Sequence, residues 1–425
     1  MSTAALIGAL VMTPSHAEAA EEPAPADAWG TQVVAEGSNA LAINMYHELV
    51  AGGEPRDNVF FSPLSVSAAL SLTYEGARGE TMAEFEQLLG ARQTGRIPAN
   101  WGRPEYHAAM GGLLGSLDGD DKPYELAVAN ALWGERSMPF RPQFVNNLNA
   151  NYDAGLELVD FKGDPERQRT RINDWVADRT HDRIQGLMPE GSVDGLTRLV
   201  LVNAIYFKAE WDKTFYEGAT RDAEFYLLPD EVVGEGASVE VPLMHQHEEW
   251  FKVGTFDGYA ALQMDYAEGD LSMVVLLPDA VDGLSALEEQ LTPELIAETV
   301  DGLAYQTCNV WLPKWEMTLA YDLIPGLRAL GMERAFDAAR ADFTGISDSA
   351  DGESLYITGA FHKAFIAVDE NGTEAAAATG IAAGALAAAP PDAVVDFRAD
   401  HPFVYLIRDN RTGAILFMGR VTDPS

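Results

Sequence analysis

A serine and a histidine far apart in the chain, Ser62 and His362, could together do covalent chemistry. Such a pair can act as a nucleophile and its general base. Ser62, however, is followed directly by Pro63 and opens a run with helical spacing, and no Gly-x-Ser-x-Gly elbow surrounds it. The residues therefore argue against a hydrolase, and we expect that the protein is not an enzyme.

The other reactive side chains indicate neither a disulfide nor a metal site. Cys308 is the one cysteine, which excludes an intrachain disulfide and a zinc site built on several thiolates. It lies in an alternating run over residues 308–312, so we expect an inert buried thiol. His245 and His247 share a face of a predicted strand, as a metal pair would, but no third ligand is evident. We expect surface or interface histidines, no metal and no cofactor.

The chain of 425 residues is strongly acidic. Its 66 Asp and Glu residues against 28 Lys and Arg residues give a formal net charge of −38. Nucleic acid, heparin-like polyanions and anionic membranes are therefore poor partners. A hydrophobic content of 47% with 22% charged residues is typical of a globular protein.

The N-terminus resembles a secretory signal. Residues 4–12 are apolar but too few for a membrane helix, and Ser15-His16-Ala17 resembles a cleavage site. The positively charged start is missing, since no Lys or Arg occurs before Arg56. We expect a signal peptide and disordered leader over residues 1–28, a single domain over residues 29–425, and a secreted or periplasmic protein.

Helical spacing in the first half of the chain gives way to strand-like runs in the second with no linker between them, which predicts one α+β domain. Helices are predicted over residues 39–51, 65–89 and 169–187, the second after Ser62-Pro63 as a cap and first-turn proline. Strands are predicted over residues 198–206, 258–266, 271–277, 307–315, 403–407 and 415–421. The last two strands face each other as a hairpin buried on both faces.

The segment from Gly372 to Pro391 has almost no bulky side chain and no charge after Glu374. Composition alone would make it a flexible linker. Only 34 residues follow Pro391, however, and their apolar hairpin cannot stand alone. The segment is therefore predicted to be an exposed loop of roughly 20 residues. Loops of that length usually have a function, and an exposed loop of small residues is readily cut by proteases.

The same segment could also enter a β-sheet. With the period of a strand, one face carries only small or β-branched residues, which are Thr373, Ala375, Ala377, Thr379, Ile381, Ala383 and Ala385. No proline before Pro390 would interrupt a ladder of backbone hydrogen bonds. Side chains this small could slip between two existing strands.

Two stretches of the chain are specific motifs, YITGAFHKA at residues 356–364 and VDENGTEAAAATG at residues 368–380. They resemble the strand and hinge that lead into the reactive-centre loop of the serpins, a family of serine protease inhibitors. Further matches lie at residues 58–65, 172–176, 197–211, 312–315, 401–403 and 417–421. The resemblance covers nearly the whole chain from about Asn39 to the C-terminus.

The resemblance implies a metastable fold of three β-sheets and eight or nine helices, with an exposed reactive-centre loop over about residues 372–396. It also implies the function. A target serine protease cuts the loop and forms its acyl-enzyme. The cut loop then inserts into the central sheet as an extra strand and carries the attached protease with it, which distorts the protease active site before deacylation. We expect an irreversible, suicide-substrate inhibitor of prokaryotic type.

The resemblance also assigns roles to matching positions. The breach, where the loop first enters the central sheet, contains a salt bridge between Glu370 and Lys314 beside Trp211. The hinge comprises Glu370, Gly372, Thr373, Glu374, Ala375, Ala376, Ala377, Ala378 and Thr379. The shutter is a polar cluster beneath the middle of the sheet that rearranges when strands part, formed by Ser62, Ser65, Asn203 and His362.

A count from the hinge glutamate gives the reactive bond. In the family the scissile residue usually lies sixteen positions later, which is Leu386, so the predicted bond is Leu386–Ala387. A slightly longer stretch after Pro391 would shift the cut to Ala385 or Ala387. Leu suits a chymotrypsin-like, elastase-like or subtilisin-like protease, whereas a trypsin-like enzyme would want Arg or Lys. We expect such a protease as the partner of a monomeric inhibitor.

The alternative is a non-inhibitory serpin that acts as a binding or chaperone protein. Such members typically carry bulky, charged or proline residues in the hinge, whereas Thr373, the four alanines and Thr379 are intact in this chain. Activation by a glycosaminoglycan is disfavoured, because residues 78–122 scatter Arg among Glu and Asp instead of forming a basic helix face.

Overall fold

The computed structural model describes residues 28–91, 101–119, 121–152, 155–229, 236–348, 355–374 and 394–425. The nine α-helices in these ranges are α1 Ala28–Gly52, α2 Pro63–Tyr74, α3 Gly79–Leu88, α4 Arg103–Leu117, α5 Pro142–Tyr152, α6 Pro165–Arg179, α7 Leu284–Glu288, α8 Pro293–Gly302 and α9 Ile324–Ala329. The fifteen strands are β1 Val59–Phe61, β2 Tyr124–Glu135, β3 Leu156–Val159, β4 Leu199–Glu210, β5 Arg221–Tyr226, β6 Ser238–Phe256, β7 Tyr259–Asp265, β8 Leu271–Pro278, β9 Ala304–Pro313, β10 Trp315–Asp322, β11 Gly359–Val368, β12 Gly372–Thr373, β13 Val395–Arg398, β14 Phe403–Asp409 and β15 Ile415–Val421.

The predicted α+β class is confirmed. Of the helices described, none has the length and apolar character needed to cross a membrane.

Helix α2 begins where the sequence predicts. The Ser62 hydroxyl accepts a hydrogen bond from the Ser65 N–H at 3.2 Å, and Pro63 occupies the first turn. The single helix predicted over residues 65–89 is wrong, because the chain leaves the helix after Tyr74 and resumes it at Gly79. The backbone between them bonds to residues 342–345 instead, and a Cβ at Gly76 would lie 1.9 Å from a side-chain carbon of Ile346.

Helix α6 is shifted toward the N-terminus relative to the predicted range of 169–187. Thr180 ends it, because its hydroxyl donates to the Val176 carbonyl at 2.8 Å and accepts from the Ile184 N–H at 3.2 Å. His181 and Asp182 follow with φ angles of 50° and 61°, a left-handed conformation that residues other than glycine seldom adopt. After Thr180 the chain therefore continues as an irregular segment and not as a helix.

One sheet has six strands in the order β10-β11-β12-β4-β2-β3. Strands β4 and β11 run parallel and pair directly over seven residue pairs. At one end the two-residue strand β12 lies between them and is antiparallel to both, with Thr373 opposite Ala209 of β4 and Val368 of β11. The strand predicted over residues 307–315 divides at Lys314 into β9 and β10, which belong to different sheets.

The other sheet has nine strands. Its path is β1-β15-β14-β8-β7-β6-β9-β13, with β5 paired to β6. The C-terminal hairpin is confirmed, since β14 and β15 pair from Phe403 opposite Val421 onward. The 19-residue strand β6 pairs with β5, β7 and β9, and its ladder with β9 shifts register between Gln246 and Glu249. The described strands therefore form two continuous sheets, where the resemblance implied three, because β6 joins the ladders on either side of it into one sheet.

The central strand β4 of the six-stranded sheet is buried on both faces. On one face it packs against the larger core, which also contains residues of α1, α2, β1 and the β14–β15 hairpin. In this core Phe60 of β1 stacks on Phe417 of β15 with 5.3 Å between ring centroids. On the other face a smaller cluster packs it against α6 through Ile172 and Val176. Burial of such a side chain contributes about 1.5 to 3 kcal/mol. Any strand added to this sheet must therefore fit between α2 on one face and α6 on the other.

Candidate functional site

Two hinge residues, Gly372 and Thr373, already lie in the six-stranded sheet as β12. The Gly372 backbone passes so close to β4 that a Cβ would lie 2.0 Å from the Ala209 carbonyl oxygen, so no other residue fits there. The Thr373 side chain is 1% exposed. The Glu374 N–H bonds to the Ala367 carbonyl at 2.8 Å. The hinge is therefore paired with β11 up to residue 374.

The rest of the predicted loop lies outside the described residues. This applies to the predicted hinge positions Ala375, Ala376, Ala377, Ala378 and Thr379 and to the predicted reactive bond between Leu386 and Ala387. The described chain resumes at Val394, just before β13, which pairs with β9.

The Thr373 side chain contacts an aromatic pair. Its hydroxyl oxygen is 2.7 Å from that of Tyr266, and both residues are buried. The Tyr266 ring stacks on Trp211 with 4.6 Å between ring centroids and 10° between ring planes. The Trp211 indole N–H donates to the Asp369 carbonyl at 3.0 Å, just before the hinge. Trp211 thus lies beside the hinge, as the resemblance implied.

Glu370 and Lys314 are also in contact. Lys314 Nζ is 2.7 Å from Glu370 Oε2, and the Thr220 hydroxyl donates to Glu370 Oε1 at 2.7 Å. Glu370 is 5% exposed, and burial alone would raise the pKa of its carboxyl. The hydrogen bonds from Lys314 and Thr220 outweigh burial and hold this pKa below its ordinary value. The carboxylate therefore stays charged at neutral pH and ties the start of β10 to the hinge.

The four predicted shutter residues lie together and include a fifth residue, Asn130, in their network. Asn203 of β4 and His362 of β11 are directly opposite each other, and His362 Nδ1 bonds to Asn203 Oδ1. Asn203 Nδ2 donates to Ser65 Oγ at 2.6 Å, and Ser65 Oγ donates to Asn130 Oδ1 at 3.1 Å. Ser62 closes the chain of contacts through its backbone N–H, which donates to His362. The network thus links β2, α2, β4 and β11.

His362 is a neutral imidazole with a defined tautomer. Its Nε2 accepts from the Ser62 N–H at 3.1 Å, so the ring proton lies on Nδ1 and is donated to Asn203. Burial lowers the pKa of His362 to about 3. The Ser62 hydroxyl donates to the Leu416 carbonyl at 2.6 Å, not to the imidazole. The serine is therefore not activated as a nucleophile by this histidine.

Sequence reasoning missed several residues of the site, including Asn130, Thr220 and Tyr266. Asn130 lies directly opposite Asn203 in the β2–β4 ladder. A single amide inside an apolar strand is a signal that could have found it, because buried polar groups need partners. Tyr266 carries no such signal, since its contact with Thr373 spans 107 positions of the chain.

The remaining reactive side chains lie apart from this site. Cys308 is buried, as predicted, and burial raises its pKa to about 11. His245 stacks on Trp311 with 4.5 Å between ring centroids, whereas His247 is exposed and contacts Asn309 at 2.9 Å. Within the part of the chain that the structure describes, no three His, Cys, Asp or Glu side chains are grouped to hold a metal ion.

Curated relatives align with almost the whole chain. Serpin B8 of Homo sapiens is 37% identical over 393 residues, which cover 92% of this chain and 99% of that protein. Leukocyte elastase inhibitor of Equus caballus is 36% identical over 392 residues, which cover 90% of this chain and 97% of that protein.

Solved structures share the fold. Human thyroxine-binding globulin complexed with thyroxine matches with a TM-score of 0.81 at 27% identity, over 93% of this chain and 100% of that one. The alignment therefore extends over both sheets and the helices packed on them.

The relatives correct two expectations. The prediction of a secreted or periplasmic protein is wrong, because Serpin B8 and leukocyte elastase inhibitor, which align over nine-tenths of the chain, are intracellular proteins. They give no support to a signal peptide, and residues 1–27 lie outside the described part of the chain. Both relatives are mammalian, so they do not support a prokaryotic type either.

A family model described as serpin (serine protease inhibitor) matches residues 36–424. This range contains the predicted hinge, breach and shutter residues, and the two relatives cover at least 90% of the chain at more than 30% identity. The chain therefore belongs to the serpin family.

Proposed function

We propose that the protein is an irreversible, suicide-substrate inhibitor of serine proteases that traps the acyl-enzyme by inserting its cleaved loop into the six-stranded sheet. The observation that carries this proposal is β12, since two hinge residues already occupy the space between β4 and β11. The proposed domain spans residues 29–425, with the reactive-centre loop over about residues 372–396.

The register of β12 supports insertion of the rest of the loop. Gly372 is opposite Glu210 and Thr373 opposite Ala209, so each further loop residue would pair one position earlier on β4. Six residues on, Thr379 would come opposite both Asn203 of β4 and His362 of β11. The added strand would thus separate the two residues whose side chains now bond across the β4–β11 boundary.

The chemistry of the trap needs no cofactor. The protease's serine hydroxyl would attack the Leu386 carbonyl carbon, and the Leu386–Ala387 bond would break as the proton passes to the new amino terminus. The Leu386 carbonyl would remain as an ester on the protease. Insertion of the segment before Leu386 would then carry the protease along the sheet and distort its active site before water cleaves the ester.

The proposed targets are chymotrypsin-like, elastase-like or subtilisin-like proteases. Leu386 would fill their apolar primary pocket, where its burial is worth about 1.5 to 3 kcal/mol. The name of one relative, leukocyte elastase inhibitor, supports this class. We propose that the inhibitor acts as a monomer.

Incubation with a panel of chymotrypsin, elastase, subtilisin and trypsin tests the proposal. We expect a complex with one or more of the first three that survives denaturing electrophoresis, and neither a complex nor cleavage of the loop with trypsin, because no Lys or Arg lies between Lys363 and Arg398. The similarity to thyroxine-binding globulin favours a binding protein as the second candidate. Cleavage of the loop by chymotrypsin, elastase or subtilisin without any stable complex, and without a rise in the unfolding midpoint of the cleaved protein, would favour that candidate.

A further inference from the structure

The segment after α6 crosses the six-stranded sheet next to β12. Residues 181–185, which we call the strap, contact both sides of the β4–β11 boundary. On one side His181 Nε2 lies 2.7 Å from Glu125 Oε1 of β2. On the other side Lys363 Nζ of β11 donates to the Gln185 carbonyl at 2.7 Å. The strap therefore joins the two halves of the sheet across the line where a new strand would enter.

Between these two anchors the strap holds the hinge. The Arg183 guanidinium pairs with the Glu374 carboxylate and lies over the Phe365 ring of β11, 5.8 Å from its centroid. Glu374 has a φ of 49°, in the left-handed region, so β-strand geometry ends directly after Thr373. A residue other than glycine keeps this conformation only where its surroundings hold it. Extension of β12 by one residue requires Glu374 to leave this conformation.

Arg183 favours the charged form of Glu374. The Glu374 side chain is 12% exposed, and burial raises the pKa of its carboxyl, with Glu316 adding to the effect and Arg183, the Tyr206 hydroxyl and Lys208 opposing it. Tyr206 of β4 is close enough that the Glu374 carboxylate, together with burial, raises the pKa of its hydroxyl. Removal of the guanidinium would leave a nearly buried carboxylate without this positive partner, which destabilises the present hinge conformation.

We infer that Arg183 and Glu374 form a latch that stops the hinge at Thr373 and delays further insertion until the loop is cut. The inference rests on the proposed function, because it concerns the rate of the same insertion. A strand added between β4 and β11 would move the two halves of the sheet apart by about 4.8 Å. The contacts of His181 with Glu125, Arg183 with Glu374 and Gln185 with Lys363 cannot all be kept at that separation. Arg183 is thus a positioning residue, which sets the rate of insertion and not the choice of protease.

The test measures how fast uncut protein inserts its loop without any protease. Wild type, Arg183→Gln, Glu374→Gln and the double variant are incubated at a temperature below the unfolding midpoint, and samples are assayed for residual complex formation and for the higher midpoint of the inserted form. We expect Arg183→Gln to convert about two- to fivefold faster than wild type, the scale of a partly exposed ion pair. Arg179→Gln is the matched control, since Arg179 is exposed at the end of α6 and lies over Trp175. It should convert at the wild-type rate.

The double variant separates the latch from other effects of Arg183. The neutral amide that Glu374→Gln places in the hinge needs no cation, so Arg183→Gln should cause no acceleration in that background. Equal acceleration in both backgrounds, or conversion of Arg183→Gln at the wild-type rate, would overturn the latch. Loop cleavage of wild type that fails to raise its unfolding midpoint would instead refute the proposed function, and the latch would fall with it.

Discussion

The hydroxyl groups of Thr373 and Tyr266 lie 2.7 Å apart in a buried contact that joins the hinge to the core. The first hinge side chain that would enter the sheet is therefore already inside it. Because this contact forms before any cleavage, the sheet is already parted at one end. The remaining separation of β4 and β11 covers the seven pairs that still bond directly.

Replacement of Thr373 by Arg should convert the inhibitor into a substrate. The guanidinium cannot be buried against Tyr266 without a cost of several kcal/mol, roughly the penalty for an isolated buried ion after relaxation. Insertion should slow while acylation continues, so the protease is released and the amount of inhibitor consumed per protease rises. Thr318→Arg is the matched control, because Thr318 is exposed on β10 of the same sheet. Undiminished stable complex from Thr373→Arg would contradict the hinge assignment.

Leu386 should determine which proteases are inhibited. We expect Leu386→Arg to move inhibition from chymotrypsin-like and subtilisin-like enzymes toward trypsin, because the apolar pocket loses about 1.5 to 3 kcal/mol of Leu burial. Leu386→Ala should weaken the former enzymes and leave elastase least affected. The mass of the C-terminal peptide released from the denatured complex locates the bond. A peptide beginning at Ala387 supports the assignment, and a cut before Ile381 or after Pro391 contradicts it.

Loss of the Lys314 ammonium should destabilise the native state. Lys314→Gln removes a charge-assisted hydrogen bond from a nearly buried carboxylate, and since Lys314 is itself over a third exposed we expect a loss of about 1 to 2 kcal/mol in the free energy of unfolding. Urea denaturation measures this loss. In the Glu370→Gln background the same change should have a much smaller effect. An equal loss in both backgrounds would show that the two side chains do not act as a pair.

His362 should make stability depend on pH. In the unfolded chain this imidazole binds a proton with a pKa of about 6.5. Burial lowers its pKa in the native state to about 3, so between these two pH values the unfolded chain binds the proton and the native state does not. The free energy of unfolding should therefore fall as the pH falls below about 6.5, by about 1.4 kcal/mol per pH unit for this one residue.

Urea denaturation between pH 6.5 and 5 tests this dependence. His362→Gln should reduce the slope, and a second variant at an exposed histidine, His247→Gln, serves as the matched control. His107, whose pKa burial also lowers, contributes to the slope in every variant. An unchanged slope in His362→Gln would mean that the native and unfolded states do not differ in the protonation of this residue over that pH range.

The local features of the fold could be predicted from the sequence. The cap at Ser62, the C-terminal hairpin and the α+β class follow from side-chain types within a few residues of one another. The break after Tyr74 could not be predicted in this way, because it depends on the approach of residues 342–345, far away in the chain. The register shift in β6 likewise depends on its partner β9.

The residues of the site differ in the same way, according to whether local sequence or a distant contact determines their role. Residues within a recognised motif, such as Glu370 and His362, could be assigned before the structure. Tyr266 and Arg183 could not, because their importance comes from the residue that each contacts, Thr373 and Glu374, in a distant part of the chain. Contacts of this kind depend on how distant segments pack together, which leaves no local pattern in the sequence.

The parallel pairing of β4 and β11 determines where this sheet can grow. Strand β4 is antiparallel to β2, and β11 is antiparallel to β10, so their shared boundary joins two antiparallel pairs through a parallel one. A strand that runs opposite to both neighbours would replace one parallel ladder with two antiparallel ladders, which are slightly more stable per residue. The chain direction of β12 is already the required one. The order of strands along the chain thus leaves one place in the sheet, between β4 and β11, where a further antiparallel strand would fit.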